Sequence, residues 1–136
     1  MGTTANSARA ATVQHPLDAL TVNEYKAALA VLEGEGLVNA DSRYPFMRLQ
    51  SPAKDTMLAW EPGEPFERSA FAMVKQGPAV YEAVVNLTQQ TVTRWDEIAD
   101  VQAGILLNEW LQAGAIAKAD TQWQAAVKQR GLGPAD

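Results

Sequence analysis

The sequence predicts an α+β fold, in which one amphipathic helix packs on an antiparallel sheet and further helices follow. Three observations support this prediction: a capped amphipathic segment near the N-terminus, a middle part made of short extended runs between turn residues, and a final third in which apolar residues return at helical spacing. With 136 residues, 47% of them apolar, the chain is long enough for one domain with a single core.

The first helix is predicted over Val22–Glu33. Thr21 and Glu24 have the spacing of a capping box, in which each side chain accepts a hydrogen bond from the backbone amide of the other. Apolar residues then recur at helical spacing: Val22, Tyr25, Ala28, Leu29 and Leu32. Gly34 and Gly36 supply the left-handed conformation that ends a helix.

Five extended runs follow, each bounded by turn-forming residues: Tyr44–Leu49, Thr56–Glu61, Phe66–Lys75, Val80–Leu87 and Thr91–Trp95. Consecutive runs joined by short turns pair as an antiparallel meander. The first run forms either a strand or an irregular lead-in, so the sheet has four or five strands. One helix across such a sheet leaves one sheet face for a partner.

The last third is predicted to be helical. Apolar residues recur at helical spacing in Leu106, Leu107, Trp110, Leu111 and Ala115. Asp120 is the expected N-cap of a final helix, which ends at Arg130-Gly131.

Charge and composition exclude several classes of function. The net charge of −5 comes from 11 basic and 16 acidic residues spread along the chain, which argues against nucleic acid as a partner. No run of 18 apolar residues predicts a membrane span. The lack of cysteine excludes disulfides and thiolate metal sites. Residues 1–14, rich in Ala, Thr and Ser, are expected to form a flexible tail without a secretory signal, and the expected location is the cytoplasm.

Several stretches resemble, in order, the N-terminal non-catalytic region of copper amine oxidases. They are His15–Thr21, Leu49–Lys54, Leu58–Glu64, Tyr81–Leu87, Trp95–Ile98, Val101-Gln102, Lys118–Asp120, Trp123–Ala126 and Arg130-Gly131. The resemblance implies an N2-like α+β domain of cystatin-like shape over residues 15–104. It also implies that residues 105–136 form a helical extension similar to the start of the N3 region.

The resemblance implies that enzymes of that family oxidise primary amines with a tyrosine-derived quinone, which lies beside a copper ion held by three histidines. This chain has a single histidine, His15, whereas copper needs several convergent ligands. The family's quinone precursor follows an asparagine, but the tyrosines here follow other residues: Glu24-Tyr25, Arg43-Tyr44 and Val80-Tyr81. The expectation is therefore that this chain binds neither cofactor and oxidises no amine alone.

The remaining candidate residues have structural interpretations that we favour. His15, which precedes Pro16, is expected to cap or pack at the domain entrance rather than to bind a metal, and Asp18 to accept backbone hydrogen bonds in a turn. Glu61 and Glu64 flank a Pro-Gly turn and are expected in solvent rather than as a hydrolytic pair. The aromatic residues Trp60, Tyr81 and Trp95 are expected in the core or an interface rather than as a cage for an amine.

Two hypotheses of function remain. The favoured one is a structural or interaction module, which binds a protein partner or forms a homo-oligomer. The alternative is a stand-alone enzyme or small-molecule-binding protein that reuses the fold, with a pocket formed by Trp60, Tyr81, Arg94 and Asp96. The observation that separates them is whether Arg94 and Asp96 point into a closed apolar cavity or into solvent; in the first hypothesis these two residues and Glu97 make exposed polar contacts.

Overall fold

The computed structural model describes residues 13–133, so most of the tail predicted over residues 1–14 lies outside the described residues. Its elements are α1 (Val22–Gly34), β1 (Arg43–Gln50), α2 (Lys54–Ala59), β2 (Ser69–Gln76), β3 (Ala79–Asn86), β4 (Thr91–Glu97), α3 (Leu107–Ala119) and α4 (Thr121–Gln129). The chain divides into two compact units, Met1–Ala103 and Gly104–Asp136, which are described separately. A helix on an antiparallel sheet, followed by helices, confirms the predicted α+β class.

Helix α1 begins and ends at the predicted signals. The Thr21 amide donates to Glu24 Oε2 at 2.8 Å, and the Glu24 amide donates to Thr21 Oγ1 at 3.2 Å, which completes the capping box. Gly36 has a φ of +69°, and the Leu37 amide reaches back to the Leu32 carbonyl at 3.1 Å. This is a Schellman ending, which satisfies a carbonyl that the helix leaves without a partner.

The four strands form one antiparallel sheet in the order β1-β2-β3-β4. The first predicted run is a full strand, because Phe46 to Gln50 pair continuously with β2. The register shifts between Arg43 and Phe46, where Pro45 has no amide to donate. Gly77, with a φ of +57°, forms the tight turn between β2 and β3.

One predicted strand is wrong. Thr56–Glu61 does not extend; residues 54–59 form the short helix α2, in which the Met57 amide donates to the Ala53 carbonyl at 3.0 Å. The run lacks the alternation of a strand and has a single β-branched residue, Thr56, and Asp55 in the first turn favours a helix. The sheet therefore has four strands.

The core of the first unit lies between α1 and the sheet. Along a row across the sheet, Met47, Ala72, Ala83 and Trp95 are register partners on the face toward α1. Its buried residues are Leu20, Ala28, Leu32, Val38, Ala70, Ala72, Val74, Ala83 and Val85. The alanines at the centre are small, so α1 approaches the sheet closely and larger side chains close the rim.

The second unit contains α3 and α4, which are separated at Asp120. As predicted, Asp120 caps α4, because its Oδ1 accepts the Trp123 amide at 2.7 Å. Neither helix contains a buried residue. Within residues 13–133 no helix has the length and apolar character needed to cross a membrane.

Candidate functional site

A buried arginine joins the N-terminal turn to the sheet. Arg68, only 7% exposed, donates to the Glu24 carboxylate through Nε at 2.5 Å and Nη2 at 3.1 Å. It also donates to the carbonyl oxygens of Pro16 at 3.2 Å, Asp18 at 2.9 Å and Ala19 at 3.2 Å. These bonds use the five N–H donors of a guanidinium, so one side chain fixes the segment that leads into α1.

The same ion pair sets the electrostatics of this cluster. Partial burial raises the pKa of Glu24, but the hydrogen bonds from Arg68 and Thr21 and the positive guanidinium outweigh burial, so the pKa lies below its ordinary value of 4.5. Glu24 thus serves both the cap of α1 and the buried arginine.

We expect this pair to make the fold sensitive to acid. Below about pH 4.5 the unfolded chain takes up a proton at Glu24, whereas the folded chain does so only at lower pH. The free energy of unfolding therefore falls as the pH drops from about 4.5 toward the lower pKa that Glu24 has in the folded chain. Above about pH 4.5 the titration of Glu24 does not change the free energy of unfolding. Urea denaturation between about pH 7 and 3 measures the decline.

The variant Glu24→Gln has no carboxyl to titrate, so its stability, although lower at neutral pH, should decline less with acid. Glu33→Gln, at an exposed position of the same helix, is the matched control and should follow the original profile. An unchanged decline in Glu24→Gln would contradict the assignment.

His15 and Asp18 form the turn before α1. Asp18 Oδ2 accepts the amides of Gln14 at 2.8 Å and His15 at 2.9 Å, and these two bonds hold the pKa of Asp18 below its usual 3.8. His15 Nδ1 accepts the Leu17 amide at 3.0 Å, and its ring packs edge-on with Trp60 at 4.9 Å between centroids. Both residues have the structural roles expected of them. Among residues 13–133, no group of three or more acidic, His or Cys side chains is placed to hold a metal ion.

An open groove of about 580 Å³ lies beside this turn. Its apolar walls come from Pro16, Pro52, Met57, Trp60, Pro65 and Phe66. Its two carboxylates are engaged within the protein: Glu64 accepts the Glu61 amide at 3.0 Å, and Glu67 accepts the side-chain amides of Asn86 at 3.1 Å and Gln89 at 2.8 Å. The groove therefore presents shape and apolar surface but no buried polar group directed at a ligand.

The sheet face opposite α1 carries an apolar centre with a charged rim. Its residues lie in two rows of register partners: Arg48, Phe71, Val84 and Arg94, and Phe46, Met73, Glu82 and Asp96. We call these eight residues the open face. Strand alternation puts them on the side away from the core, because Ala72 and Ala83 point toward α1.

Contacts within the open face order its side chains. The Arg48 guanidinium lies 5.0 Å from the centre of the Phe71 ring, and Phe71 meets Phe46 edge-on at 6.2 Å. Arg94 bridges Glu82 at 2.6 Å and Asp96 at 2.7 Å. Phe46 remains 47% exposed, whereas Phe71 is buried at 9%, so Phe46 is the aromatic side chain that this face presents to solvent.

The four residues predicted for a pocket are not brought together. Trp60 lines the groove, where its Nε1 donates to the Glu64 carbonyl at 3.1 Å. Tyr81 stacks on Trp95 at 4.7 Å on the α1 side of the sheet. Arg94 and Asp96 pair with each other on the open face, both largely exposed. Trp60 is likewise apart from the Tyr81–Trp95 stack, so the three aromatic residues form no single cage.

Sequence reasoning missed Arg68 and Gln76. Gln76 Nε2 donates to the Leu37 carbonyl at 2.8 Å and to Ser42 Oγ at 3.0 Å, which ties the end of β2 to the loop after α1. Arg68 stands between Glu67 and Ser69 just before the start of β2, so nothing in the local sequence marks it as buried. The partners of Arg68 are 44 to 52 residues away in the sequence, so the pattern did not reveal them.

The family of this chain follows from its similarity to known proteins. The AGAO-like N2 domain family matches residues 21–95, from the N-cap of α1 to Trp95 in β4. The chain belongs to the AGAO-like N2 domain family. This N2 domain thus includes α1, the sheet, and the Glu24–Arg68 pair.

The relatives are amine oxidases that are much longer than this chain. A primary amine oxidase from Arthrobacter sp. (strain P1) is 34% identical over 124 residues, which are 88% of this chain and 18% of the relative. A histamine oxidase from Arthrobacter globiformis is 33% identical over 130 residues, 92% of this chain and 19% of the relative. A primary amine oxidase from Klebsiella aerogenes is 24% identical over 121 residues, 87% of this chain and 16% of the relative. The chain with the N2 domain therefore spans less than a fifth of the length of these relatives.

Proposed function

We propose that this chain is a non-catalytic N2 module that associates with the catalytic region of a copper amine oxidase. The observation that carries the proposal is the coverage: 88% of this chain aligns with 18% of a primary amine oxidase, and the family match is to the N2 domain. The oxidation of amines is then the work of the partner region.

The composition of the chain supports a role without cofactors. Copper in proteins is held by several imidazole or comparable ligands, and this sequence contains one histidine, whose Nδ1 already accepts a backbone amide. The sequence also contains no asparagine-tyrosine pair like the one that holds the quinone precursor in that family. In our proposal both groups belong to the partner.

The open face is the surface that we assign to this association. Protein interfaces combine apolar and aromatic side chains with polar ones at the rim, and the open face has Phe46, Phe71 and Met73 on β1 and β2 beside the charged side chains of Arg48 and Arg94. Its arginine and aromatic side chains are the types that dominate binding energy, and their mutual contacts hold them in place before binding.

Isothermal titration tests this proposal. The chain is titrated into the primary amine oxidase of Arthrobacter sp. (strain P1) from which the aligned N-terminal region has been removed, and saturable binding is expected. Phe46→Asp should weaken binding at least tenfold, since it places a charge in the apolar centre. Leu58→Asp, on α2 and 74% exposed, is the matched control and should leave binding unchanged. Absence of binding, or equal loss in both variants, would argue against the module and its surface.

A further inference from the structure

The open face carries two arginines, and only one of them has carboxylate partners within the chain. In Arg94, Nε donates to Asp96 at 2.7 Å and Nη2 donates to Glu82 at 2.6 Å. In Arg48, the one side-chain hydrogen bond to residues 13–133 runs from Nη1 to the Leu49 carbonyl at 2.8 Å, and none of their carboxylates forms an ion pair with it. The Nε and Nη2 donors, which Arg94 uses to hold carboxylates, are therefore unused in Arg48.

Aromatic rings hold the Arg48 guanidinium in place. Its central carbon lies 5.0 Å from the centre of the Phe71 ring and 6.0 Å from that of Phe46. Phe71 is only 9% exposed, so the ring is a fixed support, and the bond to the Leu49 carbonyl restricts the guanidinium further. A long side chain that is ordered before binding loses less conformational entropy when a ligand arrives.

The charges of the open face are unevenly distributed. Its residues on β1 and β2 include one charge, that of Arg48, whereas those on β3 and β4 are Glu82, Arg94 and Asp96 with a sum of −1. Arg48 and Arg94 lie in the same row at opposite edges of the sheet, three strand spacings or about 14 Å apart. This separation exceeds the screening length of about 8 Å at physiological ionic strength, so the carboxylates that pair with Arg94 do not neutralise Arg48.

We propose that Arg48 binds a carboxylate side chain of the amine oxidase partner, as a bidentate pair beside Phe46. This inference rests on the proposed function and names the chemistry by which the open face recognises its partner. The negative side chains of a protein are the carboxylates of Asp and Glu, and the two parallel N–H groups of a guanidinium match a carboxylate in geometry.

The surroundings of Arg48 favour this pair and orient the partner. Phe46 is 47% exposed beside the guanidinium, so an apolar neighbour of the incoming carboxylate covers Phe46 and excludes water from the pair. Exclusion of water strengthens the attraction between the two charges. The negative sum on β3 and β4 disfavours the same carboxylate at the other edge of the sheet, so only one orientation of the partner is favourable.

Isothermal titration of variants tests the proposal, with the same truncated amine oxidase as partner. At about 150 mM NaCl, Arg48→Gln should weaken binding about tenfold or more, since it removes a charge-assisted bidentate pair. Arg48→Lys keeps the charge but not the planar pair of donors, so its affinity should lie between those of the original chain and Arg48→Gln. Lys54→Gln, an exposed position on α2, removes the same charge and should stay within about twofold of the original dissociation constant.

The salt dependence of binding separates a charge pair from a structural effect. Between about 50 and about 500 mM NaCl the dissociation constant of the original chain should rise, and that of Arg48→Gln should rise less, because this variant lacks the pair that salt screens. Circular dichroism and urea denaturation check that each variant is folded. An equal salt dependence of the original chain and Arg48→Gln would overturn the proposal.

The outcomes distinguish this inference from the proposed function. No saturable binding of the original chain would overturn both. Saturable binding that Arg48→Gln leaves within about twofold, or that Lys54→Gln weakens equally, would keep the module and overturn the assignment of Arg48. Arg48→Lys that binds as tightly as the original chain would contradict the bidentate pair. Self-association of the chain alone that Arg48→Gln abolishes would assign the carboxylate to a second copy and would also overturn the proposal.

Discussion

Replacing Arg68 with methionine is expected to lower the free energy of unfolding by about 3–5 kcal/mol. The change leaves the Glu24 carboxylate, which is 18% exposed, without its cation, and it removes the donors to the carbonyl oxygens of Pro16, Asp18 and Ala19. Buried polar groups that lose their partners cost more than the net worth of the bonds themselves. Urea denaturation followed by tryptophan fluorescence and circular dichroism measures the change.

The matched control is Arg94→Met, which removes a second arginine that also holds two carboxylates. Arg94 is 44% exposed, so its bridges to Glu82 and Asp96 are screened by solvent, and we expect a loss below about 1 kcal/mol. Arg68→Lys keeps the charge but not the planar donor geometry, so its stability should lie between those of the original chain and Arg68→Met. Equal losses at Arg68 and Arg94 would contradict the role given to the buried cluster.

The second large effect is expected at Leu32. This side chain is fully buried between α1 and the alanines of the sheet, so Leu32→Ala leaves a cavity and should cost about 2–5 kcal/mol. Val22→Ala, at a largely exposed position of the same helix, should change stability by less than about 0.5 kcal/mol. Urea denaturation compares the two. A loss below about 1 kcal/mol for Leu32→Ala would mean that α1 does not cover the core as described.

Local chemistry made most of the fold predictable. The capping box of Thr21 and Glu24, the glycine ending at Gly36 and the cap at Asp120 each depend on residues within one helical turn of the element that they bound. For that reason the predicted limits of α1 are within one residue of those observed. The strands after Phe66 were likewise predictable from β-branched content and the Gly77 turn.

The short helix α2 shows where local reasoning failed. Residues 54–59 span less than two turns, so no periodicity develops, and the apolar stretch Met57–Ala59 fits a strand as well as a helix. Three neighbouring features favour the helix: Pro52, the first-turn residue Asp55 and the turn at Glu61–Glu64. The segment therefore does not form the fifth strand that the sequence allowed.

The candidate sites depended on information that the sequence does not hold locally. Tyr81 and Arg94 point to opposite faces, because Tyr81 is three positions from Val84, the register partner of Arg94. The open face likewise appears only when four strands are in register. Arg68 required knowledge of a tertiary contact across the first unit, which no pattern within the β2 run contains.

Sedimentation velocity shows whether this chain is an N2 module of an amine oxidase assembly. The fluorescently labelled chain is kept at a low concentration. It is then mixed with excess primary amine oxidase of Arthrobacter sp. (strain P1) that lacks the region aligned with this chain. We expect the label to move to the sedimentation coefficient of the larger protein, and we expect unlabelled original chain to displace it while Phe46→Asp does not. A label that continues to sediment as the free chain at saturating oxidase would contradict the proposed association.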